Sequence, residues 1–342
     1  MKFRLGTIAY VFALLATGMA AFGAWGIVRA GGVLLFWGWM SSGISRRRPA
    51  WRGVVALLIL GATQLLLPGL VPAAHSAIQR QLCISNIKQL AMILYGYENV
   101  KGALPPAVLR DSQGNELHSW RTLILPMMDQ AALSRRIDQT KPWNSPANQL
   151  LSSTSLTLHH CPADANRNGT TNYFAVVGAR TAWPPDRGRR LDEIADGGSN
   201  TILLIEAPHR NIHWGEPSDL TFDEAVDVLS GKAPDLTGGH PGRRGFLYKP
   251  QRHLMVAFVD GHVAAVALPL SRELATALLT VDGGEKFEMA ELSLGGAPEL
   301  DYRRVWALLA FVGVAVWPGV RMWRNARKSP RFEEPRANGA NG

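Results

Sequence analysis

The chain has 342 residues, 36 Lys/Arg against 27 Asp/Glu, and a formal net charge of +9, a length that suits one soluble domain with added membrane segments. The charge is unevenly placed: residues 1–73 carry seven basic side chains and no acid, residues 303–342 carry eight against Glu333 and Glu334, and residues 74–302 carry 21 basic and 25 acidic ones. A mildly acidic middle excludes a nucleic-acid surface, which needs basic residues gathered on the binding face, and leaves the basic flanks to membrane topology.

Four apolar segments are visible. Ile8–Val28 is preceded by Lys2 and Arg4. The shorter Gly31–Ile44 bears Trp37 and Trp39 as interface anchors, 53–72 is uncharged, and Val305–Val320 is followed by Arg321, Arg324, Arg327, Lys328 and Arg331. If all four cross, the N-terminus, the basic loop around Arg46–Arg52 and the C-terminal tail lie in the cytoplasm and 74–302 lies outside, as the positive-inside tendency prefers. Two other readings stay open: residues 1–23 also fit a signal peptide, and the short second segment also fits an interfacial helix. The expected division is a transmembrane hairpin with a basic loop (1–52), a membrane helix running into a stem helix (53–103), an outer domain (104–302), and a last span with a basic, disordered tail (303–342).

Residues 53–72 reach roughly 30 Å as a helix, one membrane crossing. The chain then continues, with no strong break after Pro72, into an amphipathic stretch where Cys83, Ile87, Leu90, Leu94 and Tyr97 recur at spacings of 4, 3, 4 and 3, one apolar face of a helix. Gly102 and Pro105–Pro106 end it. SWRTLILPMMDQAALSRRID (119–138) reads as a helix interrupted at Pro126, and KPWNSPANQLLSS (141–153) as a loop entering a short helix. The second half is strand-like: NYFAVVG (172–178), NTILLIEA (200–207) and HLMVAFVDGHVAAVAL (253–268), the last with Asp260-Gly261 as a hairpin signal. RELATALLT (272–280) predicts a closing helix. The fold class is α+β, one long N-terminal helix packed on a mostly antiparallel sheet.

Cys83 and Cys161 are the only cysteines. Placed outside, they can pair in an oxidising compartment and tie the stem to the middle of the domain, or stand apart as small buried residues. Two thiols alone do not argue for structural zinc. His240 and Asp260 are a possible catalytic or ligand pair, although Asp260 is better explained by the hairpin and His240 by its Gly/Pro loop. Glu206, His209 and His213 offer a carboxylate and two imidazoles without the helical spacing that would make a metal signal specific, and His159-His160 is weaker still. Asp164, Asn166, Asn168 and Gly169 match the first half of a calcium loop, but Ala175 stands where the bidentate Glu belongs. Calcium is therefore only a weak possibility, and no other cofactor is expected. No nucleophile elbow, Ser-x-x-Lys, P-loop or dinucleotide fingerprint occurs.

Several stretches together resemble one bacterial family, the domain of unknown function 1559, whose members usually begin with a prepilin-type, pseudopilin-like N-terminus. They are Cys83-x-x-Asn86-x-Lys88-Gln89-Leu90, Leu104-Pro105-Pro106-Ala107, Ser119-Trp120-Arg121, and Pro142-Trp143-Asn144-Ser145-Pro146. Further on come Cys161-Pro162-x-Asp164, Thr171-Asn172-Tyr173, Asp196-Gly197-x-Ser199-Asn200-Thr201 with Glu206, Gly239-His240-Pro241-Gly242, and Asp260-Gly261. The resemblance implies a pilin-like helix-plus-sheet fold on the outer side of the inner membrane and no established activity. The chain departs from the family pattern in two places. The prepilin cleavage motif is absent ahead of the third apolar segment, and the family's His-x9-Asp-Gly spacing is lengthened to nineteen residues between His240 and Asp260.

The sequence thus predicts a multi-pass membrane protein, non-enzymatic, whose partners are the lipid bilayer and other proteins or copies of itself met through the stem helix or outer domain. A ligand-binding sensor is the alternative. A metal-dependent hydrolase using Glu206, His209 and His240 is a third reading.

Overall fold

A computed structural model describes residues 5–41, 77–164, 169–208, 210–233, 240–242, 247–249, 251–284, 291–292 and 299–328. In chain order the helices are α1 (Leu5–Phe22), α2 (Trp25–Ser41), α3 (77–101), α4 (Trp120–Leu123), α5 (Phe222–Leu229), α6 (Arg272–Leu279) and α7 (Tyr302–Lys328). The strands are β1 (Val108–Arg110), β2 (Glu116–Ser119), β3 (Tyr173–Phe174), β4 (Val176–Val177), β5 (Ile202–Glu206), β6 (Leu220–Thr221), β7 (His240–Gly242), β8 (Gln251–Phe258) and β9 (Val263–Ala267). The chain divides into two compact units, Met1–Pro72 with Leu300–Gly342, and Ala73–Glu299.

In the first unit the break between the first two apolar helices falls at Gly23, earlier than the sequence pattern suggests. Its φ of +62° is a conformation that glycine adopts without steric cost, and its N–H closes α1 on Met19 O. Where α1 and α2 approach, Gly18 faces Gly26, and a Cβ on Gly26 would lie 2.1 Å from the Gly18 carbonyl. Small residues are what permit backbones to come this close. Phe311 of α7 packs edge-on against Phe22 at 5.4 Å, and Trp37 Nε1 donates to Ala315 O at 2.8 Å. Within α7, Tyr302–Arg321 is long and apolar enough to cross a membrane, while α1 and α2 contribute shorter apolar stretches. The expected span 53–72, the basic loop before it and the C-terminal tail lie outside the described residues.

The second unit is α+β, built in three layers around β8. The strand β9 returns along one edge of β8 through the Asp260-Gly261 turn, where Gly261 has a φ of +87° and Asp260 Oδ1 accepts from His262 N. The other edge is shared end to end: β5 pairs with residues 256–258, β7 pairs with 251–253, and β3 lies beyond β5. All of these pairings are antiparallel. Alternation along β8 sends Met255 and Ala257 to one face and Leu254, Val256 and Phe258 to the other. The first face receives Cys83, Ile87, Leu90 and Leu94 of α3, the stripe expected from the spacing, with Tyr97 only partly covered. The second face is covered by α5 and α6 through Val226, Leu229, Ala275 and Leu278. The helix α6 starts at Ser271, whose Oγ caps Leu274 N. The helix α5 starts with a reciprocal capping box between Thr221 and Glu224, a T-x-x-E signal the sequence carries but one that was not among the expected elements.

Two stretches divide further than expected. The helix expected over 119–138 with an interruption at Pro126 is observed as α4, a 3-10 turn at Leu125–Met127 and a single turn at Ala131–Ser134. Pro126 stops the first piece, because its nitrogen cannot donate. The run 172–178 divides at Ala175 into β3, in the central sheet, and β4, which pairs in parallel with β6. The divide has a cause. Ala175 N is diverted to Asp219 Oδ1 at 2.9 Å, and Asp219 is half of a fully buried ion pair with Arg121 at 2.6 Å. Arg121 also donates to Ser119 Oγ and to Tyr173 O, and Trp120 Nε1 donates to Asp219. Burial pushes Asp219 up and Arg121 down, each opposed by the charge of the other.

Removing one partner of such a pair strands the other charge in the core, which costs about 3–5 kcal/mol, whereas an apolar pair of similar volume restores most of it. Asp219→Ala is therefore expected to lower the unfolding free energy of the second unit by about that amount, and Arg121→Met with Asp219→Leu to recover most of the loss. Denaturant unfolding of the full chain, followed by tryptophan fluorescence, checks both; equal losses in the two variants would contradict this account.

Candidate functional site

The shared edge of β8 creates an interruption. Strand β5 ends at Glu206, β7 begins at His240 opposite His253, and among the described residues no strand neighbours the β8 residues between them on that side. Glu206 fills part of the interruption itself, because its Oε2 accepts the Met255 N–H at 3.0 Å. By the register, Glu206 stands opposite Met255 and His240 opposite His253, two residues apart on β8, so the two side chains leave the sheet on the same face. That face is the one covered by α3. His240 Nε2 lies 3.3 Å from Glu206 Oε1.

Two cysteines complete the cluster from elsewhere in the chain. Cys83 descends from α3, and its Sγ meets Tyr173 Oη at 3.1 Å. Cys161 sits in a turn closed by Asp164 N on Cys161 O, with its Sγ 3.4 Å from His240 Nε2. The Cys161 turn is held on two sides. Asn172 accepts from Cys161 N through Oδ1 and donates to Asp164 Oδ2, while Asn86, one turn after Cys83, donates to His160 O. The Cys83-x-x-Asn86 spacing thus aims one residue of α3 into the cluster and clamps the loop that supplies the second thiol. One ligand atom from each of Cys83, Cys161, Glu206 and His240 lies within 4.8 Å of all the others. Their exposures are 0, 1, 0 and 2 %.

The cluster is electrostatically divided. Contact with Cys83, and then with His240, draws the Cys161 thiol below its ordinary range against the opposing effect of burial. Burial pushes Cys83 up, as it does Tyr173. Burial works against ionisation of His240 and Glu206 as well, but it is outweighed. Cys161 and Glu206 carry His240 up to about 9, and His240 holds Glu206 below the usual carboxylate range. The site therefore favours positive charge where the imidazole now supplies it. Two buried atoms of the cluster form no hydrogen bond among the described residues: His240 Nδ1, and Glu206 Oε1, which has the His240 imidazole at 3.3 Å.

The expected disulfide is not formed. Cys83 and Cys161 are both free thiols in contact with one another, with Tyr173 Oη beside one sulfur and His240 Nε2 beside the other. Other candidate residues go to structural places. Asp260 and Gly261 make the hairpin turn at the far end of β8 from His253, roughly 20 Å along the strand, so Asp260 does not meet His240. Asp164, Asn172 and Trp120 are buried in the contacts already given. Asn166 and Asn168, the rest of the calcium-like run, lie outside the described residues, as does His209. His213 stacks on Trp143 at 5.0 Å and accepts from Gly215 N, away from Glu206. His159 lies between Trp120 and Trp214, and burial holds it down to about 3. The sequence reading weighed Glu206 and His240 apart from the cysteines. The available signal was that all four fall in separate family-like motifs, but only strand pairing shows that β5 and β7 abut.

A long helix laid on one face of an antiparallel sheet, with its motif residues turned inward onto that face, defines a helix-plus-sheet module. The chain belongs to the family described as "Protein of unknown function (DUF1559)", whose model matches residues 73–268, more than half of the chain. No curated protein and no solved structure matches it.

Buried thiols react only after the fold opens. In the full chain held in detergent, neither cysteine is expected to react with a water-soluble disulfide reagent, and both are expected to react once the protein is denatured without reductant. Failure to titrate both under denaturing conditions would show them to be already oxidised.

Proposed function

We propose that the protein is a non-enzymatic, pseudopilin-like subunit, anchored in the inner membrane by several spans, whose outer domain associates laterally with copies of itself through α3. The observation that carries this reading is a second stripe on α3, opposite the buried one. Positions 78, 82, 85, 89, 92, 96 and 100 follow at helical spacing, and among them Ile78 is 59 % exposed, Leu82 48 %, Met92 62 % and Val100 70 %. A helix that has already buried one apolar face gains nothing within its own domain from large apolar side chains on the other. Exposed apolar stripes of this kind mark contact surfaces.

Two features favour a second copy as the occupant. Copies anchored by the same segments hold α3 at the same height above the bilayer, and confinement to the membrane raises their effective concentration. A C-terminal span in α7 suits a resident membrane subunit better than one extracted into a fibre. The basic flanks support cytoplasmic termini with the acidic middle outside. The absence of nucleophile and phosphate-binding motifs from the sequence, and the sealed position of Glu206 and His240, favour this reading over the hydrolase.

A photo-crosslinking residue at Met92, in native membranes, is expected to give dimers and higher ladders. The same residue at Asp223, exposed on α5 and on the other face of the sheet from α3, is expected to give none, and Leu82→Glu should abolish the ladder from position 92. Monomers alone from positions 78, 82, 92 and 100 would sink the proposal.

A further inference from the structure

We infer that Cys83, Cys161, Glu206 and His240 form a structural site for a thiophilic tetrahedral cation, Zn2+, that fastens α3 and the Cys161 turn across the interruption in the sheet. The inference stands on the cluster alone and is independent of how the outer domain associates.

The donor set selects the metal. Two thiolates exclude calcium and magnesium, which take oxygen ligands, and a mixture of sulfur, imidazole and carboxylate suits the borderline-soft zinc ion. The spacing suits it as well. With Zn–S near 2.3 Å and Zn–N or Zn–O near 2.0–2.1 Å, the S–N edge of a tetrahedron is about 3.6 Å and the N–O edge about 3.3 Å. The Cys161 Sγ–His240 Nε2 and His240 Nε2–Glu206 Oε1 separations are 3.4 and 3.3 Å. All four donor atoms lie within 4.8 Å of one another, so closing on an ion shortens the longest edge by about 1 Å at most.

A second observation points to a ligand independently. Glu206 Oε1 is completely buried, forms no hydrogen bond among the described residues, and has the His240 imidazole beside it at 3.3 Å. A buried carboxylate oxygen without a hydrogen bond is costly, and a cation at the centre of the cluster satisfies it directly. The other oxygen, engaged by Met255 N, is then the orienting contact that metal-bound carboxylates usually have. Four protein ligands with no open position describe a closed, structural site rather than a catalytic one. The four ligands come from α3, the turn before β3, the end of β5 and the start of β7. A single ion therefore joins segments that the sheet's own hydrogen bonds do not connect.

The test uses the full chain in detergent, with thiols reduced and metal stripped, titrated with Co2+ under anaerobic conditions. The expected result is one saturable site with the intense visible bands of tetrahedral cobalt and a thiolate-to-metal charge-transfer band, both bleached by an equivalent of Zn2+. Protein purified from membranes without added metal is expected to carry about one zinc per chain. Glu206→Gln keeps the side-chain shape and an acceptor for Met255 N, so it should fold and yet bind cobalt at least tenfold more weakly. Cys161→Ser should roughly halve the charge-transfer intensity. If the serine variant fails to fold, the wild-type spectrum and Glu206→Gln decide the matter. Octahedral cobalt without charge transfer, metal content unchanged in Glu206→Gln, or a stoichiometric Cys83–Cys161 disulfide in membrane-isolated protein would each overturn the inference.

Discussion

The second unit depends on a charge that has been taken wholly out of water. Arg121 and Asp219 are both inside the core, where an unpaired ion would cost several kcal/mol, so the surrounding chain is arranged to meet their hydrogen-bonding needs. Ser119, at the start of α4, and the Tyr173 carbonyl of β3 accept from the guanidinium, while Trp120 and Ala175 donate to the carboxylate. Aromatic faces of Trp120 and Phe174 flank the cation. This one pair fixes the direction of α4 and ends β3. It also brings the segment before β6 alongside β4, because Asp219 immediately precedes Leu220. Buried pairs of this kind contribute less to net stability than a well-packed apolar core would. What they supply is selectivity among packings, since every other arrangement leaves the same charges unmet.

Glu206 is the instructive contrast. It is as deeply buried as Asp219 and also ends a strand segment, but its donors are incomplete: one oxygen has Met255 N and the other has only the neighbouring imidazole. A domain that can satisfy Asp219 so fully has no obvious reason to leave Glu206 half-met. The difference lies in position. Asp219 serves a loop and is met by Arg121, Trp120 and the Ala175 N–H, whereas Glu206 stands at an interruption of the sheet, facing two thiols and a histidine. The first carboxylate organises the fold, and the second faces a cluster whose remaining valence points inward.

How much of this could be read from the sequence follows from how local each feature is. The buried stripe of α3 was legible because Cys83, Ile87, Leu90 and Leu94 repeat at helical spacing, and the β8–β9 hairpin because Asp260-Gly261 separates two β-rich runs. Both signals lie within a few residues of the structure they specify. The stop at Pro126 was legible for the same reason, whereas the division at Ala175 was not. Its cause is the contact of Ala175 N with Asp219, 44 positions away, which no local window on the sequence contains. The Cys–Glu–His cluster is the extreme case, since its four members come from four segments and their meeting depends on β5 and β7 sharing one edge of β8. Expecting the two cysteines to pair because they are the only two in the chain identified neighbours that do meet, although both are free thiols with Tyr173 and His240 beside them.

The helix α3 lies on one face of the sheet built around β8, and its two faces do different work. Its inward face carries Cys83 as well as the apolar residues that cover the sheet, so the position of the helix is set by both packing and polar contacts. Fixing the inward face also fixes which side chains look outward, because a rotation of 100° per residue leaves no freedom once one stripe is anchored. Ile78, Leu82, Met92 and Val100 are held in a defined line by contacts on the opposite side of the same helix. Loosening the cluster at Cys83 would let α3 roll and blur that line. The outward stripe and the inward cluster are therefore coupled mechanically through one rigid helix, without any residue that belongs to both.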